Sequence, residues 1–152
     1  MNVTLRAPAE DDWPDILRVA NEALPDAEDA NAAWLAARRG FDGAALRRRN
    51  YVACGPDGRI VGYAGIEQTP GKDSYRVFVV ASPERLTSGS GDQMYDALRR
   101  DLEELGASSA WMREEARDLP TIDFALRHGF TERERFTFDG IEIAVLALDL
   151  SR

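Results

Sequence analysis

The chain has 152 residues, 44% apolar and 30% charged, enough to bury one core and short for two domains. Its formal net charge of −8 argues against a nucleic-acid partner, since neutralising phosphates needs a basic surface. The same charge suits cationic or amine-bearing partners, or serves solubility alone. No apolar run reaches the ~20 residues that span a bilayer, so no membrane partner is expected. Met1-Asn2-Val3-Thr4-Leu5-Arg6 lacks a signal-peptide pattern, and Cys54 is the only cysteine, which excludes an internal disulfide or a cysteine metal cluster. The expected compartment is the cytoplasm, with no metal.

Taken in chain order, Val3-Thr4-Leu5-Arg6 alternates as a half-buried strand. Glu10-Asp11-Asp12 before Trp13-Pro14 starts a helix that carries Ile16, Leu17, Ala20 and Leu24 and stops at Pro25. An exposed connection over Pro25-Asp26-Ala27-Glu28-Asp29 leads to a second predicted helix, Ala30 to Arg39, ended by Gly40. Tyr51–Cys54 and Ile60–Ile66 form a hairpin about Gly55-Pro56-Asp57-Gly58. After a turn at Thr69–Asp73 comes a continuous apolar strand, Tyr75 to Ala81, ended by Pro83. A polar loop then opens a helix with Met94, Tyr95, Leu98, Leu102 and Leu105 on one face and Gly106 as its stop. Ser109–Met112 reads as a short strand, Leu119–Arg127 as a helix, and Phe130–Phe138 with Ile141–Leu150 as a hairpin across Asp139-Gly140. The order β-α-α-β-β-β-α-β-α-β-β describes one mixed α/β domain over residues 1–152, without repeats or linkers.

Chemistry concentrates in Val79-Val80-Ala81-Ser82-Pro83-Glu84-Arg85-Leu86-Thr87-Ser88-Gly89-Ser90-Gly91. A buried strand runs into a glycine-bearing loop that opens a helix, and helix N-termini bind phosphates through unpaired N–H groups and partial positive charge. Gly89 and Gly91 are expected to let the backbone approach a ligand closely, and Thr87, Ser88 and Ser90 to add hydroxyl donors. Alternatives fit less well. Met94 stands where a dinucleotide-binding fingerprint needs its third glycine, and Gly71-Lys72-Asp73 lacks the Ser/Thr of a P-loop. No Gly-x-Ser-x-Gly occurs, and His128 is the only histidine.

Ala81 to Gly91 resembles the acetyl-coenzyme A signature of GNAT acyltransferases, V-x-P-x-x-R/Q-x-x-G-x-G, with Pro83, Gly89 and Gly91 in register and Ala81 for the valine. Asp123-Phe124-Ala125-Leu126-Arg127-His128-Gly129-Phe130 is similar to the family's second signature, a helix ending in Gly-Phe. Thr4-Leu5-Arg6-Ala7 and Ile60-Val61-Gly62-Tyr63-Ala64 are similar to its first and third strands. The resemblance spans nearly the whole chain. It implies an α/β (α+β) acyl-CoA N-acyltransferase fold, with a mixed sheet of about seven strands flanked by about four helices. It further implies a pantetheine arm between the strand Tyr75–Ala81 and the next one, held by the backbone of Val79, Val80 and Ala81. The pyrophosphate would lie over Leu86, Thr87, Ser88, Gly89, Ser90 and Gly91.

The chain departs from the family pattern at the acid and base. Leu86 holds the Arg/Gln position, where an arginine is expected to tighten pyrophosphate binding. Ala125 replaces the tyrosine that often protonates the leaving thiolate, and Tyr75 stands where some relatives carry a glutamate base. Tyr75, Glu67 and Glu114 are therefore the candidate catalytic residues. The predicted function is transfer of an acetyl group from acetyl-coenzyme A to a primary amine of a small molecule or peptide, by direct attack in a ternary complex. A catalytically silent GNAT-fold module that binds acyl-coenzyme A as a sensor or partner subunit is the alternative. A homodimer is a further expectation.

Overall fold

The structure, a computed structural model, describes residues 2–23 and 47–151. The predicted helix Ala30–Arg39 and the connection before it lie outside the described residues. Seven strands form one sheet: β1 Thr4–Arg6, β2 Arg48–Cys54, β3 Ile60–Gln68, β4 Ser74–Ala81, β5 Ser109–Glu115, β6 Thr131–Phe138 and β7 Ile141–Asp149. Their spatial order is β1-β2-β3-β4-β5-β7-β6. Neighbours are antiparallel except β4 and β5, which run parallel. Among the described residues the helices are α1 Trp13–Ala23, α2 Pro83–Thr87, α3 Ser90–Glu104 and α4 Leu119–Arg127.

Side-chain alternation along β4 divides the molecule into layers. Tyr75, Val77, Val79 and Ala81 point into the larger core, with Leu86 of α2, Met94 and Leu98 of α3 and Phe124 of α4. Phe78 and Val80 point the other way, onto Ile16 and Val19 of α1 beside Tyr63. Thus α2, α3 and α4 share one face of the sheet and α1 covers part of the other. Local chemistry sets the joints. Asp118 accepts the Thr121 N–H at 3.3 Å to start α4, with Pro120 in the first turn. Asp12 accepts the Ala9 N–H at 2.6 Å and Arg6 at 2.7 Å, which pins the start of α1 to β1. Asp139 and Gly140 both take positive φ, 53° and 77°, the twist that a two-residue hairpin needs between β6 and β7.

Two expectations need correction. The polar loop expected over Thr87 to Ser90 narrows to Ser88-Gly89, because a helical turn fills residues 83–87 and α3 begins at Ser90: Pro83 supplies a helix-compatible φ, and the Arg85 and Leu86 N–H groups both reach Ser82 O, at 3.0 and 3.1 Å. β2 starts at Arg48, three residues before the apolar run, because Arg48, Arg49 and Asn50 pair with Glu67, Ile66 and Gly65. Tertiary pairing overrides their modest strand preference.

Candidate active site

Strands β4 and β5 pair only at Ser74↔Ser109, Tyr75↔Ala110 and Arg76↔Trp111. Beyond that vertex β4 stays paired to β3 as far as Ala81, and β5 to β7 as far as Glu115. The two strands therefore diverge inside the sheet. From Val77 to Ala81 the β4 edge facing β5 has no ladder partner, although backbone N–H and C=O groups away from water need one. An extended ligand with amide groups of its own can supply it.

The cleft opens onto the start of α3. Gly89, exposed at φ +93°, is the N-cap, and nothing lies within 4 Å of where its Cβ would stand. The first bond of the helix runs from the Gln93 N–H to Gly89 O at 3.0 Å, so the preceding N–H groups gather at the positive end of the dipole. The side chains differ from expectation. Thr87 Oγ1 donates to Pro83 O and Glu84 O at 3.1 and 3.2 Å, and Ser88 Oγ to Arg85 O at 3.2 Å. The Ser90 side chain is fully buried. Thr87 and Ser88 spend their hydroxyls on the preceding turn and Ser90 is buried, so the donors exposed at this helix start are backbone N–H groups.

Gly91 and Leu86 also have other duties. A Cβ at Gly91 would stand 2.9 Å from Phe124 Cε2 and 3.1–3.2 Å from the Leu86 backbone, so this glycine lets α2, α3 and α4 pack together. Leu86 is 1% exposed within that core. An arginine there would bury its charge and not reach the loop, which reverses the expected gain from restoring it. The nearby cation comes from α4. Arg127 Nη2 reaches Asp92 Oδ1 at 2.8 Å and Leu86 O at 3.1 Å, and His128 Nε2 lies 2.7 Å from Asp92 Oδ1. The Arg127 hydrogen bond holds the Asp92 carboxyl below its ordinary range, aided by His128 and opposed by burial. The His128 ring sits against Tyr95 and Phe124, with centroids at 4.3 and 4.6 Å.

The three catalytic candidates are not brought together. Tyr75 is 1% exposed and packs in the larger core, as an ordinary strand aromatic does. Glu114 shares its side of β5 with buried Met112, the α4 face of the sheet. Glu67 points to the α1 face at the vertex, 3.5 Å from Arg76 Nη1 and 3.6 Å from Arg48 Nη2. Trp111, on the same face, donates from Nε1 to Thr69 Oγ1 at 3.0 Å and lies under the Arg76 guanidinium, 6.0 Å from its ring centroid. Arg76 and Arg113 escaped the sequence reading. Their signal was strand alternation, which puts both on the face of Trp111.

The profile of the acetyltransferase (GNAT) family matches residues 11–130. The chain belongs to the GNAT acetyltransferase family. A solved structure proposed to be a phosphinothricin N-acetyltransferase is 19% identical, with a TM-score of 0.80 over 99% of this chain and 100% of its own. A GNAT-family protein from Desulfovibrio desulfuricans is 21% identical, with a TM-score of 0.78 over 97% of this chain and 98% of its own. The phosphinothricin acetyltransferase of Sinorhizobium meliloti, solved with acetyl-coenzyme A, is 18% identical, with a TM-score of 0.71 over 99% and 89%. No curated protein matches in sequence. The mixed seven-stranded sheet flanked by helices is the GNAT fold. Among the described residues of this GNAT chain no helix is long and apolar enough to cross a membrane, and no group of three or more His, Cys, Asp or Glu is placed to hold a metal ion.

Proposed function

We propose that the protein transfers an acetyl group from acetyl-coenzyme A to the primary amine of a small molecule or peptide. The observation that carries this reading is the divergence of β4 from β5, on the strand that leads through α2 to the start of α3. The fit is one of backbone: an unpaired strand edge suits the amides of a pantetheine arm, and an uncovered helix start at Gly89 suits a pyrophosphate. Two solved structures of this fold, both described as acetyltransferases, hold acetyl-coenzyme A. Val79 and Ala81 would bind the arm through their main chain. Val80, between them, turns its side chain to the α1 layer and, because backbone groups alternate edges along a strand, its N–H and C=O to β3.

When bound, acetyl-coenzyme A supplies an activated thioester. A β4 backbone N–H aimed at the carbonyl oxygen would favour the charge that builds there during attack. The amine attacks as the neutral base; its nitrogen would form the bond to the acetyl carbon as the carbon–sulfur bond breaks, and the proton that the nitrogen then sheds would pass to solvent. Holding both reactants in one cleft supplies much of the rate. Glu67 is the carboxylate at the vertex, whereas Glu114 faces the other layer. Ala125 is fully buried and has no proton to give, so the leaving thiolate would take its proton from solvent or from another group. Ordinary thiols ionise near pH ~8.5, so the missing acid slows the step without forbidding it.

A thermal-shift comparison of acetyl-coenzyme A, coenzyme A and ATP, followed by thiol release across a panel of amines, tests the proposal. The expected result is a rise in melting temperature with both coenzyme A forms and not with ATP, and amine-dependent thiol release. The buried Ala125 favours one competing reading, a silent acyl-coenzyme A-binding module. Firm binding with no release for any amine would select it.

A further inference from the structure

The α1 face at the cleft vertex carries more positive charge than the molecule's overall balance suggests. Alternation places Arg48 on β2, Glu67 on β3, Arg76 on β4 and both Trp111 and Arg113 on β5 on this one face. Glu67, 18% exposed, lies near two guanidinium groups at once, 3.6 Å from Arg48 and 3.5 Å from Arg76. Arg113 ion-pairs with none of the described carboxylates; its guanidinium rests 5.2 Å from the Phe136 ring centroid. Glu115, further along the same side of β5, is engaged by Arg117 at 3.3 Å. Among the described residues on β2 to β5, Arg48, Arg76 and Arg113 thus share this face with Glu67, while Glu115 is engaged by Arg117.

Arg76 is also under-used. A guanidinium has five N–H donors. Among the described residues its one side-chain hydrogen bond is the 3.5 Å contact to Glu67, longer than a well-formed bond of this type. Its Nε is buried without a partner, as is Asn50 Oδ1 on the same face, which sits over Gly65 beside Phe78. Unpaired buried polar atoms are uncommon in folded proteins, and a ligand group is one explanation for them. Arg76 is in the last β4–β5 pair and Arg113 is two residues past it on β5, so the two flank the mouth where the strands part. About 7 Å separates residues i and i+2 of a strand, so a group held here would leave an attached amine within reach of the β4 backbone beyond Phe78.

We propose that the acceptor amine carries a carboxylate, seated at this mouth by Arg76 and Arg113, with Trp111 as the apolar wall beside it. This deepens the acetyl-transfer reading and rests on it for the identity of the amine. Planar guanidinium forks match carboxylate geometry bidentately, which an ammonium does not. Glu67 holds Arg76 in place until the acceptor arrives and competes with it for the same donors.

The test uses α-amino acids and their carboxamides, matched pairs that differ in the one charge. Acids should exceed their amides at least tenfold in kcat/KM. Arg76→Gln and Arg113→Gln should each bring that ratio towards one through KM, with the affinity for acetyl-coenzyme A retained. Tryptophan fluorescence gives a readout free of turnover: acids should perturb it, amides should not, and Trp111→Phe should abolish the response. Glu67→Gln should tighten acid binding in the same titration, the opposite direction to the arginine variants. Equal use of acids and amides, or a preference that survives both arginine variants, would overturn the proposal while leaving acetyl transfer standing. Acid binding that depends on Arg76 without any transfer would do the reverse.

Discussion

Gly89 and Gly91 look equivalent in the sequence and are not. Gly89 stands in a left-handed conformation with open space around it, so Gly89→Ala should cost about 1–2 kcal/mol of backbone strain. The new methyl would also project where a phosphate is to lie, and acetyl-coenzyme A affinity should fall. Gly91→Ala should instead lower stability by about 1–3 kcal/mol through overpacking against Phe124 and the Leu86 backbone. Its folded fraction should bind the ligand as the parent does. Urea melts and calorimetry on both variants separate the two effects; a large affinity loss in Gly91→Ala would place that glycine at the ligand after all. Leu86→Arg belongs with Gly91, since a guanidinium in the space of a 1% exposed leucine should unfold the α2–α3–α4 corner. A short motif marks where glycines occur and does not tell backbone conformation from close packing. That is why the glycine-bearing turn before α3 is legible in the sequence and the separate duties of Gly89 and Gly91 are not.

Elements with strong punctuation are legible to within about a residue. α4 runs from Leu119 to Arg127 as predicted, bracketed by Asp118-Pro120 and Gly129. The short α2 was missed because five residues carry no periodicity, and the polar start of β2 because its reason lies in β3. The joint between β1 and α1 makes a pH prediction. The Arg6 hydrogen bond, helped by the Ala9 N–H, holds the Asp12 carboxyl below its ordinary value against the pull of burial. A carboxyl lowered in the folded state stabilises it above the unfolded pKa, near ~3.9, and loses that share as pH falls through the folded value. Arg6 is 45% exposed, so solvent discounts the ion pair and most of the effect rests in the capping bond, about 1 kcal/mol. Asp12→Ala should lower stability by that amount at pH 7 and flatten its decline in acid. Urea melts at pH 7, 5 and 3 check both. An unchanged acid limb would mean the decline arises elsewhere.

At the scale of the whole molecule, one mixed sheet splits along the parallel seam between β4 and β5. Element order was legible from local patterns, and the family resemblance supplied the split. Nothing local to β4 or β5 announces it, since both strands are fully paired on their other sides. Charge behaves similarly. A net −8 spread over the surface suits attraction of cations, yet the cleft vertex gathers arginines. Long-range attraction and local recognition are separate effects, because exposed charges are screened beyond ~10 Å. The position of bound acetyl-coenzyme A decides whether the open strand edge and the start of α3 form the site. Amide hydrogen exchange with and without saturating acetyl-coenzyme A locates it directly. Slowed exchange should appear in peptides covering Val77–Ala81 and Gly89–Asp92, with the β6–β7 hairpin unaffected. Protection confined to other segments, or none in β4 while the ligand is bound, would contradict a site built from the open strand edge and the start of α3.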